Sequence, residues 1–351
     1  MIPGRCRGGP WALVGNAGLL VALFTGTYLM AMGTGSGSSV AAWSPWSGDI
    51  ILVAAGLLFL GLGFLLPLHA GLMNLGIHGQ FLVGFVAGSL ITRNTLLEPW
   101  AQACLALLAG AAAGAGAGVI TAWLKRKLAV HEILSGLLLA GAMIPIARVF
   151  GAAPGTPPDL TITLGPLANT IPWTPGLELP PSFVLAWGIL LLSTGLALGF
   201  TASHLLRASV RGFELRAVGA NPLAAVAAGV DVDAMQTLMA GLGGACAGLV
   251  GALQLWSDPA IALERWPVPL GFAGITVALL GAGHLRGAIA AALVLAVWLN
   301  TPGVAAALEH PGWGAALAFL LVLPVLWNVP RLAPEQGAPR AVWRTRHREM
   351  V

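Results

Sequence analysis

Long apolar runs separated by short polar breaks set the pattern of this chain. Runs near 20 apolar residues are long enough to cross about 30 Å of hydrocarbon as helix. Read in order, they predict spans at about 11–33, 50–67, 74–92, 99–123, 130–150, 183–204, 234–256, 268–283, 286–300 and 313–330. The runs are continuous rather than alternating, which argues against a β-barrel. The predicted fold class is all-α: a polytopic membrane protein of about ten transmembrane helices, forming one transmembrane domain over 1–351. The run at 11–33 is too long for a cleaved signal core and reads as an uncleaved anchor.

Two polar interruptions stand out. Residues 151–182 carry eight prolines, and such a segment cannot cross lipid with its backbone groups unpaired. Residues 207–233 hold three arginines, a glutamate and two aspartates between two spans. Orientation follows from the basic residues. With the N-terminus in the cytoplasm and ten spans, 14 of the 17 Lys and Arg fall inside, and Arg93, Arg148 and Arg265 fall outside. Both termini and residues 207–233 are therefore expected in the cytoplasm, and 151–182 outside it.

Composition sharpens this picture. The chain is 57% hydrophobic and 9% charged, against about 25% charged in soluble domains. The net charge of +4 reflects topology and does not point to nucleic acid. Cys6, Cys104 and Cys246 fit neither a disulfide framework nor a metal site. No phosphate-binding GxxxxGK[ST] loop, HExxH or Ser/His/Asp arrangement is present. The chain is expected to bind no cofactor or metal and to have no catalytic residues. The central parts of the spans lack Asp, Glu, Lys and Arg, which ion-coupled carriers ordinarily use. A stand-alone carrier or channel for a small polar solute is the alternative; uphill movement would otherwise draw energy from a partner.

Few polar groups enter the membrane. In NLGIHGQFLVG, Asn74 and His78 are four apart, so a continuous helix would put them on one face and point Gln80 elsewhere. The glycines around them make this span easy to break, and broken helices near the midplane often hold solutes. Asn74, His78 and Gln80 are candidates to line a path, with Ser135 and Thr276 as weaker ones. Alternatively, these side chains only hydrogen-bond within and between helices. Gly110, Gly114 and Gly118, with Gly244 and Gly248, have the spacing of close helix packing.

Within 207–233, Gly219 is suited to ending a helix in the left-handed region, Asn221 to capping the next, and Pro222 to its first position. PLAAVAAG then reads as a two-turn helix of small residues stopped by Gly229. It suits either docking in a groove of a soluble partner, with Val226 adding an apolar contact, or an interfacial connector.

Several blocks together resemble the permease subunits of bacterial ABC importers for simple sugars and nucleosides, related to the branched-chain amino acid permeases. NLGIHGQFLVG resembles N-I-G-x-E-G-Q. HEILSGLLLAG resembles N-E-V-I-S. RAVGANPLAAVAAGVDV resembles R-A-x-G-x-N-P-x-A-A-x-x-A-G-I, and GFAGITVALLGAGHLRG a later glycine-rich block. His78 stands where the family usually has Glu, and His131 where it often has Asn. The resemblance implies import of a nucleoside or simple sugar through the bacterial plasma (inner) membrane. It implies a second permease subunit, an extracytoplasmic solute-binding protein and a cytoplasmic ABC ATPase that uses ATP. It also assigns Arg216, Gly219, Asn221, Pro222, Ala225 and Gly229 to the segment that couples to the ATPase.

The orientation has a direct test. With the three native cysteines removed, a single cysteine at position 172 should react with an impermeant maleimide from outside the cell. Cysteines at 126, 211 and 344 should react only after permeabilisation. Labelling of position 172 from the cytoplasmic side alone would contradict the ten-span arrangement.

Overall fold

The structure, a computed structural model, describes residues 48–92, 98–128, 130–151, 181–256 and 270–299. The expected spans at 11–33 and 313–330, and nearly all of the Pro-rich loop, lie outside these residues. Every regular element among the described residues is helical. In chain order they are α1 (Gly48–His69), α2 (Ile77–Thr92), α3 (Pro99–Leu128), α4 (Glu132–Gly151), α5 (Pro181–Ala208), α6 (Val210–Ala220), α7 (Pro222–Ala227), α8 (Val232–Leu253), α9 (Leu270–Leu280) and α10 (Leu285–Leu299).

Among the described residues, four helices are long and apolar enough to cross a membrane: Ile50–His69, Trp100–Leu128, Leu185–Ala208 and Val232–Leu253. Gly271–Leu280 and Leu285–Trp298 meet at 119°, as a broken span or a re-entrant pair. Ile77–Thr92 and Glu132–Ala147 are apolar but shorter. The expected span at 74–92 thus begins as helix only at Ile77, because residues 70–76 form a turn and an irregular link.

α1 is the axis of the bundle. It is apolar around its whole circumference, as a helix enclosed on all sides must be. Ala55, Leu60, Leu62 and Leu65 are completely buried. The outer helices keep one side open: Leu108, Ile120 and Trp123 of α3, and Ile189, Leu190 and Leu205 of α5, are exposed.

Hydrocarbon gives no hydrophobic drive for helices to associate, so close backbone approach must hold them together. α3 and α8 meet along such a seam, running antiparallel. Gly110 faces Gly248, Gly114 faces Gly244 and Gly248, and Gly118 faces Ala240. A Cβ on Gly114 would lie 2.7 Å from the Gly248 Cα. Gly84 of α2 meets the same Gly248, so three helices converge on one residue without a side chain. Past the seam, Lys125 and Glu132 pair at 3.1 Å and close the short turn from α3 to α4.

The seam separates two substitutions of identical chemistry. Gly114→Ala should lower thermal stability in detergent by about 1–3 kcal/mol, as overpacking does. Gly116→Ala, two residues away with nothing within 4 Å of its added methyl, should leave the melting temperature unchanged or slightly higher. Equal melting temperatures for the two variants would contradict the seam.

Candidate functional site

The first candidate region starts from one proline. Pro67 lies in the last turn of α1, and it has no N–H to give the carbonyl four residues back. That carbonyl belongs to Gly63. It accepts instead from Asn74 Nδ2 at 3.2 Å. Asn74 therefore sits in the link before α2, not on the helix. The expectation that it shares a helical face with His78, with Gln80 pointing elsewhere, is corrected here. The 3.6-residue period does not apply across a break.

Asn74 and Gln80 instead face each other as a reciprocal amide pair. Asn74 Nδ2 donates to Gln80 Oε1 at 2.8 Å, and Gln80 Nε2 donates to Asn74 Oδ1 at 3.0 Å. Gly76 and Gly79 let α4 come close here, against Gly136 and Ala140. The pair thus lies between α1, the start of α2 and α4.

His78, one turn into the same region, is only 4% exposed. Its ring stacks on Phe81 (centroids 6.0 Å apart) and tilts against Phe272 of α9 (5.4 Å). Its Nδ1 is buried with no hydrogen-bond partner, an arrangement that ordinarily costs about 1–3 kcal/mol. Gly271 and Gly274 bring α9 against His78 and against the Leu60 carbonyl near the middle of α1. Thr276 is buried one turn beyond Phe272. Ser135 is also buried, and its hydroxyl donates to its own helix at the Glu132 carbonyl, 3.1 Å away. The sequence reading missed Phe81 and Phe272. Nothing in an apolar run marks which aromatic ring will meet a histidine from another helix.

The second region is the elbow formed by α6 and α7. Ser209 breaks the helix: its extended backbone follows α5, and its hydroxyl accepts from the Gly212 N–H at 2.9 Å. α6 buries Gly212, Leu215 and Val218 on one face and leaves Arg216 exposed on the other. It continues through Gly219 to Ala220, so Gly219 does not end it in the left-handed region as expected. The need for glycine there is spatial, because a Cβ on Gly219 would collide with the His69 carbonyl. Asn221 is extended and caps α7, accepting from the Ala224 N–H at 3.1 Å, with Pro222 in the first turn. Gly229 (φ +82°) follows the helix end, and Asp231 caps α8.

Ala225 is 3% exposed and packs with Val218 and Val232 of this same chain. Although it belongs to the stretch of small residues suited to a partner's groove, it faces its own chain and not outward. Leu223 and Val226 are 83% and 60% exposed and form the outer side of α7. Leu223 was overlooked, although its spacing of three from Val226 was readable.

The two regions share a hinge of backbone. The turn after α1 carries Gly71 at φ +75°, where a side chain would be strained. Gly219 of the elbow lies against Gly71, and Gln236 of α8 donates to the Ala70 carbonyl at 3.1 Å. Four residues after Gly71's neighbour Ala70 comes Asn74. The elbow and the amide pair are thus joined through one short, tightly packed turn.

The amide pair predicts non-additive energetics. Asn74→Ala or Gln80→Leu alone should destabilise by about 1–3 kcal/mol, because each leaves the partner amide, buried at Gln80 and half-buried at Asn74, without its pair. The double variant should cost less than the sum of the two. Thermal unfolding of all four proteins in detergent measures the coupling, and strict additivity would exclude the pair.

Residues 47–326 match the family described as branched-chain amino acid transport system / permease component. The chain is 32% identical over 244 residues to the glucose ABC transporter permease protein TsgB13 of Haloferax volcanii, covering 66% of this chain and 63% of that protein. It is 30% identical over 299 residues to the guanosine ABC transporter permease protein NupP of Bacillus subtilis, covering 81% and 83%. It is 26% identical over 284 residues to the nucleoside ABC transporter permease protein NupB of Lactococcus lactis, covering 75% and 72%. No solved structure matches the chain.

Proposed function

The chain belongs to the branched-chain amino acid transport system permease family, and on that premise we propose that it is the transmembrane permease subunit of an ATP-driven importer for a nucleoside or simple sugar. The observation that carries this reading is the elbow. A short capped helix presents two apolar side chains outward while its inner side packs on Val218 and Val232, and Gly219, next to Val218, lies against the turn that leads to the polar cluster. That is the construction expected of a lever between a soluble motor and a membrane path.

In this reading the multi-pass chain has both termini in the cytoplasm and resides in a bacterial plasma membrane. A cytoplasmic ATPase binds and hydrolyses ATP, and its groove takes α7 through Leu223 and Val226. Asn221, Pro222 and Gly229 define the short helix, and Ala225 holds it to the body of the chain. Arg216, exposed beside it, meets acidic groups of the ATPase. A second permease subunit completes the path, and an extracytoplasmic binding protein delivers solute. Force on α7 passes through Val218 and Gly219 to the Gly71 turn and then to Asn74, Gln80 and His78. Those residues, with Thr276 and Ser135 nearby, line or gate the path. The chain itself holds neither nucleotide nor metal.

The outward position of Leu223 gives a cleaner test than Ala225. Leu223→Asp and Val226→Asp alter exposed sites, so folding should change by no more than about 0.5 kcal/mol. Burying a lone carboxylate in an apolar groove is costly, so ATPase co-purification and ATP-driven uptake should both collapse. Ala225→Glu should instead lower thermal stability of the isolated chain, because it drives a charge between Val218 and Val232. Normal ATPase recovery and uptake with both Leu223→Asp and Val226→Asp would remove α7 from the coupling role.

A further inference from the structure

His78 is the buried polar group that no packing role accounts for. Its Nδ1 has no partner, yet a ring nitrogen in either tautomer needs a donor or an acceptor opposite it. Asn74 and Gln80 are occupied by each other, and Ser135 by its own helix. The surroundings of His78 are flat rings and bare backbone. Phe81 stacks on it within 17° of parallel, and Phe272 lies at 35°. A Cβ on Gly271 would fall 2.9 Å from Nδ1, so only glycine allows α9 to close over the nitrogen. The place is also where α2 and α9 begin, beside Leu60 near the middle of α1. Interrupted helices at such a depth are a recurrent setting for solute sites in transporters.

One unsatisfied nitrogen between aromatic faces restricts the chemistry of a fitting solute. A sugar carries hydroxyls around its whole ring, and each needs a partner when buried. A heteroaromatic base has two apolar faces and confines its polar groups to the edge. We propose that His78 and Phe272 are the residues that read the base of a nucleoside-class solute. Nδ1 hydrogen-bonds an edge group of the base, and the partly exposed Phe272 ring stacks on its face. Entry requires α9 to separate from α2 at the Gly271 contact. The proposal rests on the permease reading above and adds the moiety recognised and the residues that recognise it.

The test uses the full transporter, with its ATPase and binding protein, in proteoliposomes. Photolabelling with 8-azidoadenosine and 8-azidoguanosine, followed by peptide mapping, should place the label within 78–81 and 271–276. His78→Leu should lower initial uptake of adenosine and guanosine by about tenfold or more, since a site built around a hydrogen bond loses heavily without it. His78→Gln should recover uptake to within about threefold, because its amide offers both a donor and an acceptor. Label confined to other segments, or wild-type uptake by His78→Leu, overturns the proposal. ATP-driven uptake of ribose without any nucleoside also overturns it while leaving the permease reading intact. Failure of ATP to drive uptake of any nucleoside, or of ribose or glucose, overturns the reading of the chain as a nucleoside or sugar importer subunit.

Discussion

Close approach of helix backbones is the constraint on which this structure depends. In lipid, apolar side chains gain nothing by leaving one hydrocarbon environment for another, so contact area and fit must hold the helices. Glycine supplies the fit. Gly248 receives α3 and α2 at once, Gly243 receives the Gly63 carbonyl and Pro67 of α1, and Gly251 receives the backbone of α2 at Phe81. α8 is therefore the common partner of α1, α2 and α3. Its polar end is also continuous with the elbow, through Asp231 and the short link to α7. A helix that locks the bundle and adjoins the elbow has little freedom to move without moving both.

The polar cluster grows out of the same packing. Pro67 leaves the Gly63 carbonyl without its helical donor, and the chain answers with Asn74 from across the turn. Anchoring Asn74 there delays the start of α2 to Ile77 and turns Gln80 toward it. The break in the second described helix is thus not looseness. It is fixed by three amide hydrogen bonds and by the approach of Gly76 to Gly136. Buried polar groups that satisfy each other define one arrangement sharply, because any other leaves amides unpaired at a cost of about 1–3 kcal/mol each. His78 lies outside that set, with its Nδ1 buried and without a hydrogen-bond partner.

The elbow combines a rigid inner side with an open outer side. Val218, Ala225 and Val232 close a small apolar cluster, while both helix starts are capped by Asn221 and Asp231. A six-residue helix is marginal by itself. Tied down at its caps and its buried alanine, it behaves as part of the body. Its exposed Leu223 and Val226 are thereby held in a fixed place on the surface. The same tie makes Gly219 and Gly71 a single contact, and joins the elbow to the turn ahead of the polar cluster.

Much of this was readable from the residues in order. Apolar runs of span length, the glycines four apart, and the Asn-Pro start of α7 are local patterns with local physical causes. They fixed the all-helical class, the seam residues and the short capped helix. What the order of residues did not hold is which groups meet across breaks. Periodicity paired Asn74 with His78, whereas an orphaned carbonyl eleven residues earlier in the chain, at Gly63, pairs it with Gln80. Gly219 looked like a helix stop, but it is a contact surface for His69. Ala225 looked like an outward contact, but it faces Val218 and Val232. In each case the deciding partner lies on another helix, and its position is set by packing of the whole bundle rather than by the period of one segment.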